Sequence, residues 1–227
     1  MRIFLIIPIL FIFLASCSNS NDFDIPQISK LEKLEEHSNQ FIKGIYSYDN
    51  GIHVAIGFGI ANSIMVEGDG GNIIIDTTDD VSQAKEVLSE FQKINQNPIK
   101  AIIYTHNHGD HVFGASEFYN SQEEKPLVIA HSTTAEKVEK ILGIINPIIT
   151  LRSGKMFGTN LDDDELINVG LGPYLSAGRT SPGYIAPTMT FEKELKLELA
   201  GHKVELYHAP GETDDQLFVW FPELSAL

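Results

Sequence analysis

The sequence predicts an α/β protein, more broadly a layered α+β domain, in which helices cover a sheet. Short β-type runs separated by turn residues come first, and buried strands then alternate with helical periodicities. Because such units bury their apolar sides by packing helices on sheets, this order favours a layered domain. The 227 residues are 43% hydrophobic and 21% charged, which is typical of a soluble globular chain with a sizeable core.

The first part of the chain predicts a helix, a strand meander and a second helix. Residues 28–41 carry apolar side chains at helical spacing, with charged residues between them. Four β-type runs separated by turn residues follow at residues 45–48, 52–56, 63–67 and 72–76. A helix is predicted over residues 81–94, with Asp80 as its N-cap and an apolar stripe that faces the core.

The second part alternates strands and helices around one irregular stretch. The predicted elements are a strand at 99–105, a short helix at 113–119, a strand at 127–130 and a helix at 133–145. Residues 147–190 are rich in Gly and Pro and show little periodicity, which predicts a long irregular segment of the functional or disordered kind. A hairpin of strands 195–199 and 204–208 precedes a final strand at 217–221.

The charge balance and the single cysteine exclude several classes of protein. Lys and Arg number 16 and Asp and Glu number 31, so the formal net charge is −15. Because nucleic-acid binding depends on clustered Lys and Arg, we expect no nucleic-acid partner. An anionic substrate would need a local positive charge that the average surface lacks. One cysteine allows neither an internal disulfide nor a cysteine-based zinc site.

The amino terminus predicts export and lipid anchoring. A short positive start precedes about a dozen nearly unbroken apolar residues, a run shorter than the ~20 residues of a spanning helix but suited to a signal peptide. The Leu-Ala-Ser-Cys end resembles the bacterial lipobox, so Cys17 is the predicted lipidation site. We predict a signal peptide at 1–16, a tether at 17–27 and one domain at 28–227. The domain would be held in the bacterial cell envelope only through its lipid, at the outer membrane or facing the periplasm. The alternative is an ordinary signal peptide with an incidental cysteine.

The residues that carry chemistry follow the predicted strand at 99–105. Three histidines and one carboxylate lie within six residues, namely His106, His108, Asp110 and His111. Imidazole and carboxylate are ligands that suit Zn²⁺ and similar metals. Two adjacent pairs of ligands favour two metal ions a few ångströms apart over one. The alternative is a surface histidine cluster, or histidines that are hydrogen-bonded within the core. That alternative would readily explain a single histidine, but it explains the four-residue motif poorly.

From about residue 52 to its last residue, the sequence resembles the metallo-β-lactamase superfamily. The resemblance is carried by the His-x-His-x-Asp-His run and by the upstream strand Gly-Asn-Ile-Ile-Ile-Asp, which ends in Asp76. The third motif of the family usually reads Pro-Gly-His, whereas this chain has Pro-Gly-Glu, with Glu212 in the place of the histidine. That substitution is similar to the alkyl/aryl sulfatase branch, whose members hydrolyse sulfate esters of long-chain alcohols.

The resemblance implies an αββα sandwich, with its second half incomplete in this chain, and a binuclear zinc site that hydrolyses linear alkyl sulfates to alcohol and sulfate. The implied metal ligands are His106, His108, Asp110, His111 and Glu212. Asp110 would also orient the attacking water, Asp76 would support a ligand histidine, and His208 would be a packing or supporting residue beside the site. Glu212 argues against most lactamases, lactonases and phosphodiesterases of this fold. These activities stay open as alternatives, as does a non-catalytic metal-binding lipoprotein.

Substrate contacts are sought in residues 147–190, which contain both arginines that follow the signal peptide. A guanidinium group binds an oxyanion through two parallel hydrogen bonds, so Arg152 and Arg179 are candidate sulfate contacts. The alternative is that they are solvated loop charges. Apolar residues of the same segment, among them Tyr184 and Ile185, would either line a groove for the alkyl chain or pack on their own domain.

The resemblance also predicts that this chain is not a complete enzyme. The superfamily fold uses two similar halves, and the second has barely begun by residue 147. In the sulfatase branch a further Glu and a further His ligand and a helical dimerisation region lie beyond the Phe-Pro-Glu segment at residues 221–223. We expect the 227-residue chain to be poorly soluble, to hold about one metal weakly and to lack sulfatase activity, and the full-length protein to form a homodimer.

Overall fold

The computed structural model describes residues 27–162, 165–173 and 182–227. The α-helices in these residues are α1 (Gln27–His37), α2 (Val81–Ile94), α3 (Gly109–Val112), α4 (Ala115–Asn120), α5 (Thr134–Leu142) and α6 (Asn146–Met156), and a short 3₁₀ turn spans Ser38–Phe41. The strands are β1 (Gly44–Tyr48), β2 (Ile52–Ile56), β3 (Ser63–Gly68), β4 (Gly71–Ile75), β5 (Ile99–Ile103), β6 (Leu127–His131), β7 (Met189–Phe191), β8 (Glu194–Leu199), β9 (His202–His208) and β10 (Leu217–Trp220).

A seven-stranded sheet forms the centre of the fold, with strands β1 to β7 in chain order. The first four strands pair antiparallel, as the short turns between them require. From β4 to β7 the pairs are parallel, because helical segments cross from the end of one strand to the start of the next. A second, smaller antiparallel sheet has the order β10-β9-β8.

The large sheet separates two apolar clusters. Alternate side chains of a strand point to opposite faces, so Ile74 and Ile102 face α2 and α4, where Phe118 is also buried. Ile73 and Ile103 face the small sheet instead. The layers are therefore helices, large sheet and small sheet, which confirms the predicted α/β layered class.

Helix α2 spans the predicted residues 81–94, and its start is fixed by a side chain. Asp80 Oδ1 accepts hydrogen bonds from the backbone N–H groups of Ser82 and Gln83 at 2.5 and 2.9 Å. These are two of the amides that an α-helix leaves unpaired at its first turn. The predicted N-cap is confirmed.

The prediction that residues 147–190 are irregular throughout is wrong, since α6 covers Asn146–Met156 and β7 covers Met189–Phe191. Pro147 stands in the first turn of α6, where the missing N–H has no intrahelical partner in any case. The side chains of Ile148 and Leu151 are exposed, so the helix lacks the narrow apolar stripe by which periodicity is recognised.

Two predicted helices have different bounds in the structure. The helix predicted over residues 113–119 is α4, which begins at Ala115, and a separate short helix, α3, precedes it. A Cβ atom at Gly114 would lie 1.9 Å from the carbonyl oxygen of Thr77, so only glycine allows this close approach. The helix predicted over 133–145 ends at Leu142, where the Gly143 amide closes α5 on Glu139.

The amino-terminal predictions fall largely outside the described residues. These comprise the signal peptide, the lipidation site Cys17 and the tether except for its last residue, Gln27, which begins α1. Within the described part of the chain, no helix has the length and apolar character needed to cross a bilayer.

Candidate metal centre

The histidine-rich loop begins where β5 ends, and Asp76 holds its first residues. Thr105 donates two hydrogen bonds to this carboxylate, from its backbone N to Oδ1 at 2.8 Å and from Oγ1 to Oδ2 at 2.7 Å. Asp76 directly follows β4 and has a φ of 57°, in the left-handed region that Asp tolerates better than most residues. Because β4 and β5 are parallel neighbours, their carboxyl ends meet at one edge of the sheet and bring Asp76 beside the loop.

His106, His108 and Glu212 form a cluster at this edge, with one ligand atom of each lying within 4.8 Å of the others. Glu212 Oε1 is 3.2 Å from His108 Nδ1, and Glu212 Oε2 is 3.8 Å from His106 Nε2. The two imidazole rings meet edge to face, with centroids 4.7 Å apart. His106 is buried, whereas the Glu212 side chain is 62% exposed, so the cluster opens to solvent on the side of the carboxylate.

Asp110 and His111, both on α3, extend the cluster. The ring centroid of His111 is 4.1 Å from that of His106. His111 Nδ1 is 2.6 Å from Asp76 Oδ2, and His111 Nε2 is 3.3 Å from Asp110 Oδ2. Asp76 thus fixes the ring through Nδ1 and directs Nε2 toward Asp110, the arrangement by which carboxylates orient metal-binding histidines. All five predicted ligands are therefore brought together.

The surroundings of His106 and His111 favour opposite protonation states. Burial lowers the pKa of His106, and the neighbouring His111 lowers it further, which favours the neutral ring that binds metals. Burial also lowers the pKa of His111, but the carboxylates of Asp76 and Asp110 outweigh it and raise that pKa to about 10. Burial raises the pKa of Asp110, yet the interactions with His111 prevail and leave it below its usual value. A cation at His111 Nε2 would take the place of the proton there.

Glu212 reaches the histidines because the loop over residues 209–216 folds on itself. Ala209 N donates to the carbonyl of Gln216 at 2.8 Å, and Glu212 N donates to Gln216 Oε1 at 2.6 Å. Leu217 N, at the start of β10, donates to the carbonyl of Thr105 at 2.9 Å. These bonds place a side chain from the loop between β9 and β10 of the small sheet at the edge of the large sheet.

The donor set fits a divalent metal ion. His106 Nε2 is buried and has no hydrogen-bond partner among the described residues. A buried polar atom without a partner is costly, and a cation beside it would remove that cost. Neutral imidazole together with carboxylate oxygen is a ligand set that zinc favours. His106, His108 and Glu212 could hold one ion, and Asp110 and His111 are placed to contribute to a second.

The other predicted site residues either make no contact with the five clustered side chains among the described residues or lie outside those residues. The ring of His208 stacks on His131 with centroids 4.2 Å apart, and its Nε2 bonds to a backbone carbonyl at 2.7 Å. Arg152 lies on α6 and not in a loop, with its Nε 3.3 Å from Met156 Sδ. No contact between described residues joins Arg152 to the cluster. Arg179 lies outside the described residues.

Two residues of the proposed alkyl groove pack on their own domain, which was the alternative interpretation. Tyr184 and Ile185 contact the apolar cluster beneath the helices. The hydroxyl of Tyr104 donates to the carbonyl of Ile185 at 2.9 Å and ties this segment to the end of β5. Their side chains therefore contribute to the core.

Two polar residues of the centre have no role in the sequence analysis. The side-chain amide of Asn107, between the two clustered histidines, donates to Asp215 Oδ1. Asp215 is fully buried, although it stands next to the exposed Asp214 in the sequence. Because Asp214 and Asp215 are both aspartates and adjacent in the sequence, no local signal could have shown which carboxylate is buried and which is solvated.

Replacing Asp76 with Asn should weaken metal binding by about 10- to 100-fold, the loss typical of carboxylates that orient ligand histidines. An amide keeps the shape of the side chain but removes the negative charge 2.6 Å from His111 Nδ1. Competition with a chromophoric chelator would measure the affinity, with the exposed turn residue Asp49 changed to Asn as the charge-matched control. Equal affinities of the two variants would contradict the role given to Asp76.

Comparison with known proteins agrees with this geometry. The sequence model of the metallo-β-lactamase superfamily matches residues 56–227. A linear primary-alkylsulfatase from a Pseudomonas strain is 39% identical over 164 residues, which cover 70% of this chain and 31% of that protein. The alkyl/aryl-sulfatase BDS1 of Saccharomyces cerevisiae is 25% identical over 197 residues, which cover 82% of this chain and 30% of that protein. The chain thus spans about a third of the length of these curated relatives.

Solved structures show the same fold. The stereoselective inverting sec-alkylsulfatase Pisa1 from Pseudomonas superimposes with a TM-score of 0.70 at 20% identity, covering 85% of this chain and 31% of that one. A metallo-β-lactamase from Pontibacter korlensis gives a TM-score of 0.52 at 18% identity, covering 79% and 67%. With the histidine motif, the supporting carboxylate and the family match in agreement, the chain belongs to the metallo-β-lactamase superfamily.

Proposed function

We propose that the protein hydrolyses linear alkyl sulfate esters to alcohol and inorganic sulfate at a binuclear zinc site. The observation that carries the proposal is the carboxylate of Glu212 beside His106 and His108, where the superfamily motif usually supplies a third histidine. This substitution is the feature that is similar to the sulfatase branch. The 39% identity to a protein named linear primary-alkylsulfatase supports the same substrate class.

A protein of this net charge can bind an anionic substrate only if the site itself is more positive than the rest of the surface. The chain carries a formal charge of −15, which repels a sulfate ester. When bound, two zinc ions would outweigh the carboxylates of Asp110 and Glu212, polarise a sulfate oxygen and lower the pKa of water toward neutrality. The exposed side of the cluster, at Glu212, is where the ester would enter.

The residues of the chain then hold and orient the reactants. His106, His108 and Glu212 present their ligand atoms together. Asp110 is partly exposed at the edge of the cluster, so its carboxylate could accept a hydrogen bond from the attacking water and orient it. His111 is held in place by Asp76 while this occurs. Arg152 and Arg179 remain proposals for binding the sulfate group.

The test is metal-dependent release of sulfate from dodecyl sulfate by the full-length protein. We expect zinc to copurify, a chelator to stop the release and added zinc to restore it. A β-lactam, a lactone and a phosphodiester are assayed in parallel. Hydrolysis of one of these in place of dodecyl sulfate would indicate another hydrolase of the same fold. Bound zinc with no hydrolysis of any ester would indicate a non-catalytic metal-binding lipoprotein.

Anchoring and assembly are further proposals. We propose that Cys17 carries the lipid and that the protein lies in the bacterial cell envelope, because the sequence before this cysteine resembles a lipobox. Homodimer formation is proposed for the full-length protein because of its resemblance to the sulfatase branch.

A further inference from the structure

Asp215 is a fully buried carboxylate at the end of the loop that carries Glu212. It accepts hydrogen bonds from three neutral side chains, namely the amide of Asn107, the hydroxyl of Thr134 at 2.8 Å and the hydroxyl of Thr213 at 2.6 Å. No Lys or Arg pairs with it among the described residues. A buried charge with no cation beside it lowers the stability of the folded state, so stability alone does not explain why a carboxylate stands at position 215.

The three donors of Asp215 belong to three different segments. Asn107 lies between the clustered His106 and His108, in the loop that follows β5. Thr134 is the first residue of α5, where the positive end of the helix dipole favours a negative charge. Thr213 directly follows Glu212. One carboxylate therefore links the segment that bears two ligands to the segment that bears the third.

Glu212 has little else to fix its side chain. Its carboxylate is 62% exposed, and the ion pairs of its oxygens with described residues are those with the two histidines. The position of its oxygens therefore depends on where the backbone of the loop lies. Asp215 lies three residues after Glu212 and bonds to Asn107, which is adjacent to both His106 and His108 in the sequence. It therefore sets the position of the loop backbone relative to the two histidines.

We propose that Asp215 is a positioning residue, which holds the Glu212 loop against the His106–His108 segment so that the three ligand atoms converge on one ion. This inference rests on the proposed function of the cluster as a metal centre. Asp214 provides the contrast, since its side chain is 77% exposed and pairs with Lys137 on α5.

The test compares Asp215→Asn with Asp214→Asn in the full-length protein, since both remove one carboxylate charge from the same loop. We expect Asp215→Asn to bind Zn²⁺ about 10- to 100-fold more weakly, as is typical when a residue that orients metal ligands is lost. Asp214→Asn should bind Zn²⁺ within twofold of wild type. The Co²⁺-loaded Asp215→Asn protein, at saturating metal, should also show an altered visible absorption spectrum, because the ligand geometry has changed. A merely structural role would leave the spectrum of the folded protein unchanged.

A second variant keeps the test decisive if Asp215→Asn does not fold. Thr213→Val removes one donor on the Glu212 side, at a position that is only half-buried, and should also weaken Zn²⁺ binding and alter the Co²⁺ spectrum. If Asp215→Asn folds and keeps the wild-type affinity and spectrum, this inference is wrong, although the metal-centre proposal is unaffected. If Asp215→Asn does not fold, the same result in Thr213→Val leads to the same conclusion. A wild-type protein that binds no metal would overturn both.

Discussion

Replacing Glu212 with Gln is expected to release tightly bound metal and abolish hydrolysis. The neutral amide is a poor ligand for a cation and a poor bridge between two, so at least one ion should be lost. Glu212 Oε1 and Oε2 lie 3.2 and 3.8 Å from nitrogens of His108 and His106, and no other carboxylate of the described residues forms a group with these two histidines. We expect the loss of affinity to exceed the roughly 100-fold that is the upper range for supporting residues.

Metal content and the rate of sulfate release would be measured together in the purified full-length variant. Glu223→Gln is the matched control, because it also removes one carboxylate charge. Glu223 pairs with Lys203, which lies near the start of β9, whereas the Glu212 loop follows the end of that strand at His208. The control should keep wild-type zinc and activity. Full metal stoichiometry and near-normal turnover in Glu212→Gln would show that this carboxylate is not a ligand.

Replacing Phe118 with Ala should lower the free energy of unfolding by about 3–5 kcal/mol, as large-to-small changes of buried aromatics do. Phe118 lies on α4 with no exposed surface and belongs to the cluster between the helices and the large sheet. Truncation leaves a cavity. Helix α4 cannot shift to fill it, because Gly114, directly before the helix, already packs closely against the backbone of Thr77. The loss is a large fraction of the 5–15 kcal/mol that typically stabilises a domain.

Urea unfolding followed by circular dichroism would measure this change in the metal-free protein. Phe218→Ala is the control, since Phe218 on β10 is 38% exposed and stacks on Tyr207 at the surface. The control should lose markedly less stability than Phe118→Ala. Similar losses in the two variants would show that the helix-side cluster is not the principal core.

Local signals predicted the parts of the fold that local interactions determine. The bounds of α2 follow from the side chain of Asp80 and from an apolar stripe, both of which act within one helix. Four of the predicted ligands lie within residues 106–111, so their spacing alone indicated a metal site. Glu212 was found through its Pro-Gly motif, and the structure places it at the histidines.

The predictions that failed depended on tertiary contacts. Strand β7 has only three residues, and its place beside β6 is set by a pairing across some sixty residues, which no periodicity reveals. Helix α6 shows mainly exposed side chains and so lacks an amphipathic pattern. The burial of Asp215, in contrast to Asp214, is decided by donors on distant segments.

The two parts of the candidate metal centre come from distant stretches of the chain, so we expect them to come together late in folding. The bond between Asn107 and Asp215 joins residues 108 positions apart, and contacts of that separation form slowly because they close a large loop. The pairing of β4 with β5 is enough to bring the histidine loop to Asp76, whereas Glu212 reaches the histidines from the loop between β9 and β10 of the small sheet. We therefore expect an ion held by both segments to bind the folded chain and not the unfolded one. Such an ion would stabilise the folded state by about 2.7 kcal/mol at a hundredfold excess over its dissociation constant, and we expect it to slow unfolding more than it speeds folding.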